Sequence, residues 1–161
     1  MNRGSPASRR AGRTRARRAA LQAVYQWQLN RKSGSAIASE FTAERELKNV
    51  DIEYFTALTR GIPRHASELA AGLSRHLELE WDAVTPVERA ALLVGAYELM
   101  HCPEVPYRVA INEAVDLVKV FGAEEGYRLV NAVLDGFAAE VRGAEVAATM
   151  WRPVEDDSGR S

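Results

Sequence analysis

Between Thr85 and Met100 the chain encodes a helix that has no side to show to water. Thr85-Pro86-Val87-Glu88 sets Thr at the N-cap, Pro at N1 and Glu at N3, a capping box with its favoured proline. From Val87 to Met100, the residues Ala90, Ala91, Leu92, Leu93, Val94, Ala96 and Leu99 place apolar groups all round the cylinder. A helix of that kind lies at the buried centre of its domain, so other elements have to surround it. Pro103 and Pro106 end it and stiffen the connection that follows.

The surrounding elements read as helices too. Ala16, Ala20, Val24 and Trp27 recur at helical spacing from about Arg13 onward. Residues 30–35 read as a linker, and Ile37, Phe41 and Leu47 mark a short helix after it. Asp51 can cap a helix that buries Ile52, Phe55, Leu58 and Ile62, which Pro63 ends or kinks. Leu69, Leu73 and Leu77 then mark another helix. Ala110, Ile111, Ala114, Val115, Val118 and Phe121 follow Tyr107 as an amphipathic helix, with Gly122 suited to a left-handed C-cap. Glu124 and Glu125 suit the first turn of a last helix, whose apolar side is Leu129, Val130, Val133, Leu134, Phe137 and Val141. No stretch alternates with period two for long enough to argue a strand. The fold class is therefore all-α. The expected organisation is a disordered basic arm over 1–12, a helical domain over 13–142 and a disordered acidic tail over 143–161 that ends with Glu155, Asp156 and Asp157.

With 161 residues, one domain with tails is the natural prior, and a chain this long buries roughly 70% of its unfolded surface. Cys102 is the single cysteine, so no intrachain disulfide can form and a cytoplasmic location is expected. No apolar run approaches the roughly 18 residues a membrane span needs, and no membrane partner is expected. An arginine-rich, acid-free start also fits an organelle transit peptide. These arginines, however, run straight into a helix of the body.

Charge is distributed unevenly. Arg3, Arg9, Arg10, Arg13, Arg15, Arg17 and Arg18 fall within the first eighteen residues with no acid among them. The whole chain has 21 basic and 22 acidic residues, so residues 19–161 hold 14 basic against 22 acidic, a net of −8. Such an asymmetry suits a polyanion as partner. At 100° per residue, Arg15, Arg18, Gln22, Tyr25 and Gln26 lie opposite the apolar stripe of the first helix. Tyr25 thus stands in line with two guanidinium groups, where its ring could stack on a base.

Catalytic signatures are lacking. His65, His76 and His101 show no i, i+4 pairing, and His101-Cys102 has no second cysteine, so neither a metal nor a cofactor is implied. There is no phosphate-cradling glycine loop, and an enzyme is not expected. Asn112 and Asn131 lie inside apolar helices; they either bond across a helix junction and fix its register or contact a ligand.

Three segments carry a family resemblance. Ala19-Ala20-Leu21-Gln22-Ala23-Val24-Tyr25-Gln26-Trp27-Gln28 resembles the first helix of the NusB family of bacterial transcription antitermination factors. Val105-Pro106-Tyr107-Arg108-Val109-Ala110-Ile111-Asn112-Glu113-Ala114 is similar to that family's most recognisable segment. Phe121-Gly122 and Leu129-Val130-Asn131-Ala132-Val133-Leu134-Asp135 match its closing pattern, over about residues 13 to 142 in all. Ala132 stands where a glycine is usual, and Leu129 where many members have phenylalanine.

The resemblance implies about seven helices in two small bundles. It also implies single-stranded boxA RNA of nascent ribosomal transcripts as ligand and the ribosomal protein NusE as heterodimer partner. A place in the RNA polymerase antitermination complex follows from the same likeness. The family's arginine-rich RNA-binding motif maps onto Arg13, Arg15, Arg17 and Arg18 with Tyr25. The family places the corner at Glu88 and Arg89 close to the RNA; Arg128 could add a phosphate contact, and Arg10 enters on charge alone. Glu88 and Arg128 are equally well read as a cap and a solvated surface group. The alternative function is a helical protein-interaction adaptor without specific RNA binding. A NusB-like domain fused to an RNA cytosine methyltransferase does not fit, for want of a suitable cysteine motif. A homodimer built on the first helix would hide the arginines, and the sequence leaves that state open.

Overall fold

The computed structural model describes residues 4–30, 36 and 47–151. Among them are six α-helices, one short 3-10 turn at Trp81–Ala83 and no strand. The helices are α1 (Pro6–Asn30), α2 (Ile52–Ser74), α3 (Pro86–His101), α4 (Tyr107–Phe121), α5 (Gly126–Val141) and α6 (Gly143–Met150). Of the linker expected over 30–35, Asn30 is the last residue of α1 and 31–35 lie outside the described residues. Of the short helix marked by Ile37, Phe41 and Leu47, only Leu47 is described, and it is not helical; the acidic end at 155–157 also lies outside.

As its composition requires, α3 is the hub. It packs against α1 and α2 on one side and α4 and α5 on the other, so the two small bundles share it. Ala90, Ala91, Leu92, Val94 and Ala96 are fully buried. At Gly95 a Cβ would press on Leu134 of α5 and Ala114 of α4, so glycine permits the close approach of three helices. The N-cap is as expected, with Thr85 Oγ1 accepting from the Glu88 N–H at 3.3 Å. Asp51 likewise caps α2, its Oδ1 accepting from the Tyr54 N–H at 3.0 Å.

Several local expectations change. First, α1 begins at Pro6, well before Arg13 and inside the segment expected to lack order. Ser5 Oγ accepts from the Ser8 N–H at 3.1 Å, so Ser5-Pro6 repeats the cap-and-proline pairing of Thr85-Pro86. Second, α2 runs unbroken through Pro63, because Phe55, Leu58, Ile62, Leu69 and Leu73 form one fully buried stripe on both sides of it. Burial along that stripe outweighs the local loss of about 3 kcal/mol that an interior proline brings. Third, Gly122 is extended (φ −98°) rather than left-handed. What demands glycine there is closeness, since a Cβ would sit 2.8 Å from the Val118 carbonyl oxygen. Fourth, Asn112 and Asn131 are exposed, on the helix faces opposite the buried stripes of α4 and α5, and so fix no helix register. Ala132 is exposed as well, so its replacement of a glycine leaves the packing alone.

The tail expected to lack order from residue 143 instead forms α6 over Gly143–Met150, for a reason that lies in Arg142. Its guanidinium donates to the carbonyls of Leu99 (2.8 Å), Cys102 (2.9 Å) and Val105 (2.8 Å), and more weakly to that of Glu98 (3.2 Å). It thereby gives the Leu99 carbonyl in the last turn of α3 a donor, and adds a second donor to the Glu98 and Cys102 carbonyls, which already accept from the Cys102 and Val105 N–H groups. Glu145 holds Arg142 at 2.7 Å and also accepts from the Tyr107 N–H at the start of α4 at 2.9 Å. Both contacts, the Tyr107 N–H first, hold the Glu145 carboxyl below its usual range. Arg142→Ala should cost about 1–3 kcal/mol in urea unfolding, the scale for stranding buried acceptors. A variant as stable as the parent would show that water replaces the guanidinium freely.

Candidate nucleic-acid interface

Along α1, Ala16, Ala19, Ala20, Leu21, Ala23 and Val24 are buried against the core. The other side presents Arg15, Arg18 and Tyr25 to solvent, and Arg9 and Arg10 are exposed one turn or more earlier. Spacings of three and seven residues put Arg15, Arg18 and Tyr25 in one row. Tyr25 keeps 36% of its surface exposed, enough to offer a ring face. Among the described residues, Arg15 Nη1 donates a long hydrogen bond to the Asn49 carbonyl at 3.4 Å. Arg13 is half-buried, 3.9 Å from the Asp51 carboxylate, and its guanidinium lies over the Tyr54 ring at 4.4 Å. Arg10 and Arg13 line a groove with Asn49, Asp51 and Glu53, where carboxylates already offset part of their charge.

Arg17 departs from expectation. It is 2% exposed, its guanidinium forked onto the Glu98 carboxylate of α3 at 2.8 Å from both Nε and Nη2. Tyr54 of α2 donates its hydroxyl to the same carboxylate, and Glu113 of α4 stands 3.3 Å from Arg17 Nη1. Glu98 is wholly buried. Burial, then the charge of Glu98 and the bond to it, raise the Tyr54 phenol far above its ordinary range. Burial also pushes the nearby Cys102 thiol up to about 11, against a hydrogen bond to Tyr54 that lowers it. Arg17 therefore joins α1 to α3 inside the core and is not part of the exposed face of α1.

A corner closes the row at the other end of α1. Gln28 donates to the Pro86 carbonyl at 3.0 Å and accepts from Arg89 Nε at 2.9 Å. Arg89 Nη1 also donates to the Val84 carbonyl at 2.6 Å. These bonds occupy the Arg89 guanidinium and fix the end of α1 on the start of α3. Glu88 is 8% exposed, and a Cβ on Gly126 would collide with its carboxylate. That contact brings the start of α5 to the same corner. Arg128 is exposed there, 3.5 Å from Glu125 and with Nε 3.3 Å from the Tyr127 hydroxyl. Leu129 is only half-buried, so an aromatic side chain at its position would have been accessible.

The sequence pattern of the NusB family matches residues 14–139. The chain belongs to the NusB family. Among NusB relatives, the transcription antitermination protein NusB of Cupriavidus pinatubonensis is 49% identical over 139 residues, 86% of this chain and 83% of that protein. That of Nitrosococcus oceani is 46% identical over 140 residues, 87% of this chain and 94% of that protein. Among solved structures, NusB of T. maritima superposes with a TM-score of 0.71 at 25% identity, covering 83% of this chain and 96% of that one. A structure of NusB and NusE in complex with dsRNA gives 0.73 at 28% identity over 84% and 99%. The NusB match takes in Arg15, Arg18, Tyr25, Glu88, Arg89 and Arg128, and starts just after Arg10 and Arg13. No helix of the described residues is long and apolar enough to cross a membrane.

Proposed function

We propose that this chain binds single-stranded boxA RNA together with NusE and acts, without catalysis of its own, in the antitermination complex on RNA polymerase in the cytoplasm. The observation that carries the reading is the exposed row Arg15, Arg18 and Tyr25 ending at the corner of Glu88, Arg89 and Arg128. Guanidinium groups that alternate with an aromatic ring match a flexible strand, whose phosphates pair with cations while its bases stack. Arginine suits this better than lysine, because its planar fork both pairs with phosphate and stacks. In this reading Arg10, Arg15, Arg18 and Arg128 meet phosphates, and Arg89 positions the corner through Gln28. Glu88 is mostly covered at the α3–α5 contact, so a hydrogen bond from a base amine to its carboxylate requires the side chain to turn outward.

Fluorescence anisotropy with a boxA-like strand, a scrambled strand and a duplex, each with and without NusE, tests it. The boxA strand should bind more tightly than the scrambled one, and NusE should widen the difference. If the folded chain with NusE ignores every oligonucleotide at low salt, the adaptor reading replaces this one. Preference for the duplex would reassign the ligand. Tyr25→Ala should weaken binding to the single strand by about 1–3 kcal/mol, the worth of one base stacked on an aromatic ring. An unchanged affinity would make Tyr25 an ordinary surface residue.

A further inference from the structure

Away from the arginine row, α2 and α3 come together at Gly61, where a Cβ would overlap the Tyr97 ring. One turn further, His65 of α2 faces His101, the last residue of α3, with ring centroids 4.3 Å apart and planes inclined by 31°. The Tyr97 ring lies 4.9 Å from that of His101 and forms a wall to the pair. Glu68, one turn along α2, holds a carboxylate oxygen 3.5 Å from His65 Nδ1. One ligand atom each from His65, Glu68 and His101 lie within 4.8 Å of one another. In the sequence His101 stands 33 residues after Glu68, so no local metal motif appears and none was expected. Folding assembles the set from two helices.

We propose that His65, Glu68 and His101 form a binding site for a late first-row divalent cation, Zn²⁺ in the first instance, with water completing the coordination. Two imidazoles and a carboxylate are the donor set that favours zinc and its neighbours over magnesium or calcium. Around a tetrahedral zinc with bonds of about 2.1 Å, ligand atoms sit roughly 3.4 Å apart. The three donors, already within 4.8 Å of one another, have at most about 1.4 Å to close to reach that spacing. All three side chains are at least partly open to solvent, which gives the ion an entry path. Ligation takes neutral imidazole. The ion would tie the middle of α2 to the end of α3. Glu88 and Arg89 lie thirteen and twelve residues before His101 on α3, about 18–20 Å along the axis, so the site is separate from the proposed RNA row.

Isothermal titration of the untagged full chain with ZnCl₂ tests the site, with Co²⁺ absorption as a second readout. A single equivalent of Zn²⁺ should bind and raise the melting temperature, and Co²⁺ should show the visible bands of a low-coordinate site. His65→Ala and His101→Ala should each lower affinity by about tenfold or more, since even a residue supporting a ligand is worth that much. Both should erase the Co²⁺ bands while melting like the parent in chelator. His76→Ala serves as control, because His76 pairs with Glu140 at 3.1 Å elsewhere on the surface; it should bind as the parent does. The proposal is overturned if the parent binds no Zn²⁺, or if the His65→Ala/His101→Ala double variant binds it equally well.

Discussion

Glu98→Ala should lower the stability of this chain by about 3–5 kcal/mol, the cost of breaking a buried ion pair from one side. The carboxylate is wholly buried and receives both Arg17 and Tyr54. Its removal leaves a guanidinium with 3% of its side chain exposed and only Glu113, at 3.3 Å, to answer its charge. Against a total stability of about 5–15 kcal/mol, such a loss brings the domain close to unfolding at physiological temperature. Replacing the whole set together (Arg17→Met, Tyr54→Phe, Glu98→Leu) should recover most of it, because no charge or hydroxyl is then stranded. Glu113 would keep its partner Thr14, whose hydroxyl donates at 2.7 Å. Urea unfolding of the single and triple variants separates the two effects. A Glu98→Ala variant within 1 kcal/mol of the parent would mean that water reaches Arg17 and that the network holds little.

The burial of Arg17 was legible in the sequence, although charge counting hides it. Arg17, Leu21 and Val24 stand at i, i+4 and i+7, so Arg17 shares a stripe with two core residues, whereas Arg15 and Arg18 do not. Glu98 gave the matching signal: a carboxylate inside a helix apolar on every side has to find a partner within the core. The central place of α3, the caps at Asp51 and Thr85, and the exposed face of α1 could all be read directly, because each depends on local periodicity or on a cap within four residues. What could not be read depends on distant contacts. Arg142 becomes a cap for α3 only when α5 returns past its end, and Pro63 stays within a helix only because α1 and α3 cover the stripe on both sides of it. His65 and His101 meet for the same reason. Asn112 and Asn131 were misplaced by composition: an apolar helix still has an outer face, and these two occupy it.

Substituting Arg10, Arg15 and Arg18 by alanine should abolish most of the salt dependence of RNA binding while leaving the fold untouched. With these three and Arg128 on phosphates, log K should fall with log salt at a slope of about −2.8, at about −0.7 per phosphate for a single strand. Raising salt from 50 to 200 mM would then cost the parent about fiftyfold in affinity, and the triple variant, with one contact left and a slope of about −0.7, less than threefold. All three side chains are exposed, and alanine is the best helix former, so thermal melting should hold or improve. Arg17→Met provides the decisive contrast. It removes a positive charge from the same helix, yet that charge is neutralised inside the core by Glu98. It should therefore destabilise the domain and, at temperatures where the variant remains folded, keep the parent's salt slope. Should Arg17→Met flatten the slope as much as the triple variant does, the charge would act through the overall field of α1 rather than through contact. A triple variant with an undiminished slope would move the RNA off this face altogether.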